Sequence, residues 1–196
     1  MIDNTKNDET RVLKILQDTG AFLKGHFLLS SGLHSDTYIQ CAKVLKYPEY
    51  SELLGKLIAD KVASKIDYVV SPALGGIIIG YEVARALKVP FLFAERNEKG
   101  NMSLRRDQVI NNNSKILIVE DVITTGKSTL EVAKLVESNG GYVTSFACIV
   151  NRSDKIVLEN REIISLVKIQ AATYSSENCP LCIQGLQLVK PGSRKQ

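Results

Sequence analysis

No apolar run in this 196-residue chain approaches the roughly 20 residues that a membrane-spanning helix needs, and the segment Met1 to Glu9 is polar and acidic, without the apolar stretch of a signal peptide. A cytoplasmic protein with no membrane partner is expected. No Pro/Gly/Ser-rich linker, internal repeat or low-complexity tract divides the chain, so a single domain over 1–196 is expected. A strong charge of one sign is also missing. The net charge is only +4 and is spread along the sequence, which suits an anionic small ligand better than nucleic acid. Four cysteines, Cys41, Cys148, Cys179 and Cys182, would stay reduced in the cytoplasm, which argues against a disulfide framework.

Several catalytic signatures are missing as well. There is no G-x-S-x-G, H-E-x-x-H or G-x-G-x-x-G, so serine-hydrolase, zinc-protease and dinucleotide-binding chemistry lack their parts. Gly126-Lys127-Ser128 ends like a P-loop, but the first glycine of that motif would fall on Asp121. A single C-x-x-C, Cys179-Pro180-Leu181-Cys182, supplies two of the about four ligands that a structural zinc requires. A metal site there would have to borrow Cys41, a histidine or a second subunit. A plain thiol turn is the favoured reading.

What is present is organised around Ile116 to Ser128. Ile116-Leu117-Ile118-Val119 is apolar without alternation and largely β-branched, which suits a central parallel strand buried on both faces. Glu120 and Asp121 fall at its carboxyl end. Val122 and Ile123 follow, and Thr124, Thr125, Gly126, Lys127 and Ser128 then mark the start of a helix. Ligands of open α/β sheets sit beyond such strand ends. Paired carboxylates accept hydrogen bonds from vicinal ribose hydroxyls, while hydroxyls and helix-start amides bind a phosphate. If the sugar carries pyrophosphate at C1, Mg²⁺ would be held mainly by substrate and water, with no dedicated protein metal site.

The rest of the pattern predicts an amphipathic helix from Asp8 to Thr19 ending at Gly20, a hairpin within Gly25 to Gln40, and a helix after Pro48. A strand at Tyr68 to Val70 leads through a glycine turn into a helix from Ile77 to Leu87, and Phe91 to Ala94 forms the next strand. A helix from Lys127 to Asn139, strands at Thr144 to Val150 and Ile163 to Ile169, and an irregular tail from Thr173 complete the chain. This alternation predicts an α/β fold, a central, mostly parallel sheet flanked by helices. Gly75 and Gly76 let a backbone approach an anion at a helix start, or equally allow tight strand-to-helix packing. Tyr38 either stacks on a planar ligand or simply packs. Arg96, Lys99, Arg105 and Arg106 lie in a polar stretch from Glu95 to Asn113, expected as an exposed loop or loose hairpin. They form a solvated charge run or a cationic flap for a polyanion. Arg152, after the strand ending at Val150, is at the correct sheet end to meet a ligand carboxylate.

The stretch Val119 to Ser128 resembles the signature of type I phosphoribosyltransferases. The hairpin run Phe27-Leu28-Leu29-Ser30-Ser31-Gly32, Ser71 to Gly76, the arginine-rich loop, Asn151-Arg152 and the Cys-Pro-Leu-Cys tail extend the likeness over nearly the whole chain, toward the orotate-specific branch. The resemblance implies a small hood from about 1–45 and 170–196. It implies Mg²⁺-dependent transfer of phosphoribosyl from 5-phosphoribosyl 1-diphosphate to orotate, giving orotidine 5′-phosphate and diphosphate in UMP biosynthesis. It places Glu120 and Asp121 on the ribose, Thr124 to Ser128 around the 5-phosphate, and Val122 and Ile123 among the substrate-binding residues. Thr124 and Arg152 also face orotate, Tyr38 lies near the base, and Gly75 and Gly76 lie near the pyrophosphate. It implies a homodimer with shared active sites, in which Arg96, Lys99, Arg105 and Arg106 of a mobile loop act on the neighbouring subunit's site. Ser30 stands where many members carry lysine, a second lysine near Gly75 is missing, and Asn101 is near the position of the usual loop histidine. The Gly75-Gly76 amides and the Arg105-Arg106 pair are the candidate substitutes. A purine phosphoribosyltransferase is the enzymatic alternative. A regulator that senses the sugar diphosphate while binding nucleic acid is the other, and it lacks a dedicated basic face.

Overall fold

The computed structural model of the chain describes residues 4–29 and 31–191, with side chains from residue 7 onward; Ser30 and the end of the tail lie outside them. The chain opens with α1 (Asn4–Asp18), which buries Val12 and Leu16 and is closed by Gly20 in the left-handed region, φ 68°. The helix begins four residues before the expected Asp8, because polar residues extend a helix without contributing to its buried face. β1 (Phe22–Leu28) and β2 (His34–Ile39) form the expected antiparallel hairpin, with a register shift between Lys24 and Phe27. After a short α2 (Ala42–Leu45), α3 (Pro48–Ala59) starts on proline, whose missing N–H costs nothing in the first helical turn.

The α/β part alternates as expected: β3 (Tyr68–Pro72), α4 (Gly76–Leu87), β4 (Phe91–Arg96), β5 (Met102–Leu104), β6 (Lys115–Ile123), α5 (Lys127–Ser138), β7 (Tyr142–Asn151), β8 (Val157–Leu158) and β9 (Arg161–Lys168). The seven-stranded sheet has the order β5-β4-β3-β6-β7-β9-β8, parallel throughout except at its two edges. Its two faces carry separate cores. Val12, Leu54, Ile58, Ile79 and Val83 pack on one side, and Val132, Ala133, Val136 and Phe146 on the other. At about 1.5–3 kcal/mol for each fully buried aliphatic side chain, these two layers hold the sheet in place.

Two expectations need correction and one alternative is decided. The central strand does not stop at Val119. It continues through Glu120, Asp121 and Val122 to Ile123, because β7 supplies ladder partners at Cys148, Val150 and Asn151. Of the two readings of Glu95 to Asn113, the hairpin holds: β4 and β5 pair across it, Arg96 opposite Met102. The tail is not irregular. β10 (Thr173–Tyr174) adds to β2, giving a second, three-stranded sheet β1-β2-β10. A 3₁₀ turn (Ser176–Asn178) and α6 (Pro180–Ile183) follow, and Val189 then bridges back to Phe27. Elements this short have no sequence period to betray them, since their partners are more than a hundred residues away.

Candidate active site

Strand order decides where the site lies. The chain moves from β3 outward to β4 on one side and from β6 outward to β7 on the other, so the topology reverses between β3 and β6. Crevices beyond the carboxyl ends of strands open at such reversals. Here the turn after β3 and the end of β6 face each other across one. A Cβ added at Gly75 would stand 2.8 Å from Asp121 Oδ1, and one at Gly76 would stand 2.9 Å from the Val119 carbonyl oxygen. Only glycine leaves this backbone close to the carboxylates.

Glu120 and Asp121 are half-buried within β6. Each is turned partly onto its own backbone: the Val122 N–H donates to Asp121 Oδ1 at 2.8 Å, and the Asp121 N–H to Glu120 Oε1 at 3.3 Å. Burial, reinforced by the adjacent Asp121 carboxylate, pushes the Glu120 carboxyl up from its ordinary value to about 9. A carboxyl raised this far holds its proton at neutral pH. Two neighbouring thiols are raised chiefly by burial, Cys41 and Cys148, so both are inert filling beneath the carboxylates.

Thr124 and Thr125 are exposed beyond the strand, and Gly126 takes the left-handed conformation, φ 75°, at the start of α5. A Cβ there would lie 2.6 Å from Leu158 Cδ2, so both the backbone angle and the packing require glycine. Lys127 is exposed and Ser128 half-buried in the first turn of α5, and the Lys127 N–H donates to Thr125 Oγ1 at 3.4 Å.

A cleft of about 1210 Å³ joins this turn to the small sheet, with Thr124, Thr125, Tyr38, Asp36, Arg152 and Lys190 on its walls. The Arg152 N–H donates to the Ile123 carbonyl at 2.8 Å, tying the residue after β7 to the end of β6. Asn151, buried, accepts from the Ser153 N–H at 2.9 Å and donates to the Lys155 carbonyl at 2.9 Å, which sets the loop carrying Arg152. Burial lowers the Arg152 pKa, while Asp36 and then Tyr38 oppose that shift, and the guanidinium remains a cation. Arg152 Nε and Asp36 Oδ1 are both buried without a hydrogen-bond partner.

The structure thus brings together Tyr38, Gly75, Gly76, Arg152 and the segment Glu120 to Ser128. It does not bring the loop cations into the cleft of their own chain. Arg96 pairs with Glu131 on α5 at 2.6 Å, Arg106 lies 2.9 Å from Glu95 and over the Phe93 ring, and Arg105 is 3.8 Å from Glu95. Lys99 is exposed at the hairpin tip. Asp36 and Lys190 are cleft residues that the motif reading missed. Asp36 was findable, because it precedes Tyr38 by two in a strand and so shares its face. Lys190 was not, because its placement depends on the bridge between Val189 and Phe27.

Comparisons with known proteins agree with this geometry. Residues 42–181 match the family described as "Phosphoribosyl transferase domain". The chain is 51% identical, over 96% of its own length and 99% of the relative's, to the orotate phosphoribosyltransferase of Caldanaerobacter subterraneus subsp. tengcongensis. It is 50% identical over the same shares to the orotate phosphoribosyltransferase of Thermoanaerobacter sp. strain X514. Among solved structures, the orotate phosphoribosyltransferase of Aeropyrum pernix superposes with a TM-score of 0.71 at 24% identity, covering 81% of this chain and 93% of that one. The adenine phosphoribosyltransferase of Thermoanaerobacter pseudethanolicus superposes with a TM-score of 0.59 at 24% identity, covering 68% and 88%. The shared fold therefore does not choose the base.

Proposed function

From a chain that belongs to the orotate phosphoribosyltransferases, within the phosphoribosyl transferase domain family, we infer that the cleft transfers phosphoribosyl from 5-phosphoribosyl 1-diphosphate to orotate. The observation that carries the choice of base is Arg152: a half-buried cation with an unpartnered Nε, on the same cleft as the phosphate-binding turn. A buried polar atom left unpaired costs about 1–3 kcal/mol, and a planar base bearing a carboxylate relieves that cost.

In this reading Glu120 and Asp121 accept hydrogen bonds from the ribose hydroxyls, and Val122 to Ser128 wrap the 5-phosphate with Thr124, Thr125, Ser128 and the α5 amides. Tyr38 lies against the base, and Gly75-Gly76 offer amides to the pyrophosphate. N1 of orotate attacks C1, the C1–O bond to pyrophosphate breaks, and configuration at C1 inverts. Little proton transfer is required, so positioning and cations near the leaving group supply the rate. Glu120 and Asp121 lie where Mg²⁺, held mainly by substrate and water, would neutralise charge on the diphosphate. Lys190 lies on the cleft wall.

A homodimer with shared sites is supported by an apolar stripe beside the glycine turn. Ile78 and Tyr81, 46% and 56% exposed, are three residues apart on α4, and Leu74, 79% exposed, stands in the turn before it; together they suit a second copy of the chain. That copy would bring Arg96, Lys99, Arg105 and Arg106 to the pyrophosphate. The reading is of one domain whose small sheet acts as a hood, working in the cytoplasm; no described helix is long and apolar enough to cross a membrane.

The test is loss of orotate absorbance on mixing protein, sugar diphosphate and Mg²⁺. Turnover of orotate but not adenine is expected. Turnover of adenine alone would move the chain to the purine branch, and binding of nucleic acid without either turnover would favour a regulator.

A further inference from the structure

We propose that His26, His34, Cys179 and Cys182 bind one Zn²⁺ ion that clasps the tail to the hairpin. The four residues come from β1, β2 and the Cys-Pro-Leu-Cys turn, and one ligand atom from each lies within 4.8 Å of all the others. His26 Nε2 is 3.5 Å from Cys179 Sγ and 3.7 Å from Cys182 Sγ, and His34 Nδ1 is 3.3 Å from Cys182 Sγ. With Zn–N near 2.0–2.1 Å and Zn–S near 2.3 Å, a tetrahedral site places nitrogen and sulfur donors about 3.5 Å apart. The three distances bracket that value. The two ring nitrogens, 2.8 Å apart, need to separate by only about half an ångström to admit the ion.

Hydrogen bonding orients the first ligand. His26 Nδ1 is 2.8 Å from the Leu186 carbonyl, which can only accept, so that nitrogen carries the proton and Nε2 presents a lone pair to the cluster. Metal-bound histidines use the same device to set tautomer and ring direction. Both histidines and Cys179 are buried, at 3%, 5% and 1% exposure, whereas Cys182 is exposed, which leaves an entry path. Two sulfurs and two imidazoles at tetrahedral spacing select zinc among the common divalent ions. In this proposal the ligands that the C-x-x-C lacks are the two histidines of the hairpin.

The position gives the ion a purpose. Alternation along β2 places His34, Asp36 and Tyr38 on one face, so the clasp and the base end of the cleft share a strand. On the other side the tail runs from Cys182 to Lys190 and Pro191, which wall the cleft. The tail has only short elements to hold it, and a structural zinc contributes folding energy outright. The inference stands whether or not orotate is the substrate.

Metal analysis of untagged protein, purified without chelator under reducing conditions, is expected to find one zinc per chain. Replacement by Co²⁺ should give the visible bands of a tetrahedral thiolate site. Cys182→Ser and His34→Ala should each lose the metal, while Cys148→Ala keeps it. Wild-type protein that takes up no stoichiometric zinc or cobalt overturns the proposal. So does a Cys179–Cys182 disulfide in the freshly purified chain, seen as a mass lower by two hydrogens, or a Cys182→Ser protein with full zinc content. Should the variants fail to fold, competition of the wild-type protein with a chromophoric chelator decides: one tightly retained equivalent supports the clasp, and immediate complete transfer to the chelator refutes it.

Discussion

The segment Glu120 to Ser128 and the tail Thr173 to Pro191 wall the same cleft and are held by opposite means. The first is the continuation of a central strand, backed by ladder bonds to β7 and by buried residues on both sheet faces. The second rests on two residues of β-pairing, one bridge at Phe27 and a cluster of two histidines and two cysteines. Where a core is present, polar side chains are free to face the ligand. Where none can be built, polar side chains must themselves hold the chain. The two regions should therefore fail differently: changes in the first should abolish chemistry and leave the fold, while changes in the second should loosen the base end of the cleft.

The largest effect is expected from Asp121→Ala. Turnover should fall by about 10²–10³-fold, the usual loss for removing one preorganised polar group, with the melting temperature nearly unchanged. Steady-state kinetics beside a thermal melt would check this, and a protein that unfolds instead would blur the contrast. Next, Arg105→Ala with Arg106→Ala should slow turnover by about 10²-fold. Mixing that protein with Asp121→Ala should restore activity, because in a shared-site dimer one of the two mixed sites is intact; failure of the mixture would place the arginines outside the neighbouring site. Gly126→Ala should cost about 1–3 kcal/mol, from the left-handed backbone alone, and raise KM for the sugar diphosphate more than for orotate.

A smaller and opposite pattern is expected on chelator treatment under the zinc proposal: the Kd for orotate rises several-fold while the Kd for the sugar diphosphate holds, as isothermal titration with each substrate would measure. The smallest effect is on pH dependence. Because the folded Glu120 pKa lies above its ordinary value, the native state holds an extra proton between the two. Its contribution to stability is complete below the ordinary value and is lost as pH rises toward about 9. Glu120→Gln should flatten the stability profile across that window. In the wild type, binding of the Mg²⁺-loaded sugar diphosphate should release protons at neutral pH, detected as a binding heat that changes with buffer ionisation enthalpy.

The legibility of each region follows from the same difference. Ile116 to Ser128 could be read directly because a strand buried on both faces is uniformly apolar, and the change to acids and hydroxyls marks its ligand end. The reading erred only on the strand's length, since ladder partners in β7 and not side-chain character decide where a strand stops. Gly75-Gly76 and Arg152 were placed correctly at the strand ends, but their meeting around one crevice depends on the strand order. His26 and His34 carried almost no signal, because eight residues separate them and about 150 separate either from the cysteines.

By itself the sequence determined the α/β alternation, the hydroxyl-rich turn with its two acids, and the residues that name the family, because each is a local pattern of burial, charge or backbone permission. Only the tertiary structure decided that β3 and β6 are neighbours, that Asp36 and Lys190 reach the cleft, and that two histidines meet two cysteines. Those are pairings between distant segments. They arise from which surfaces bury each other, and no short stretch of chain carries that information alone.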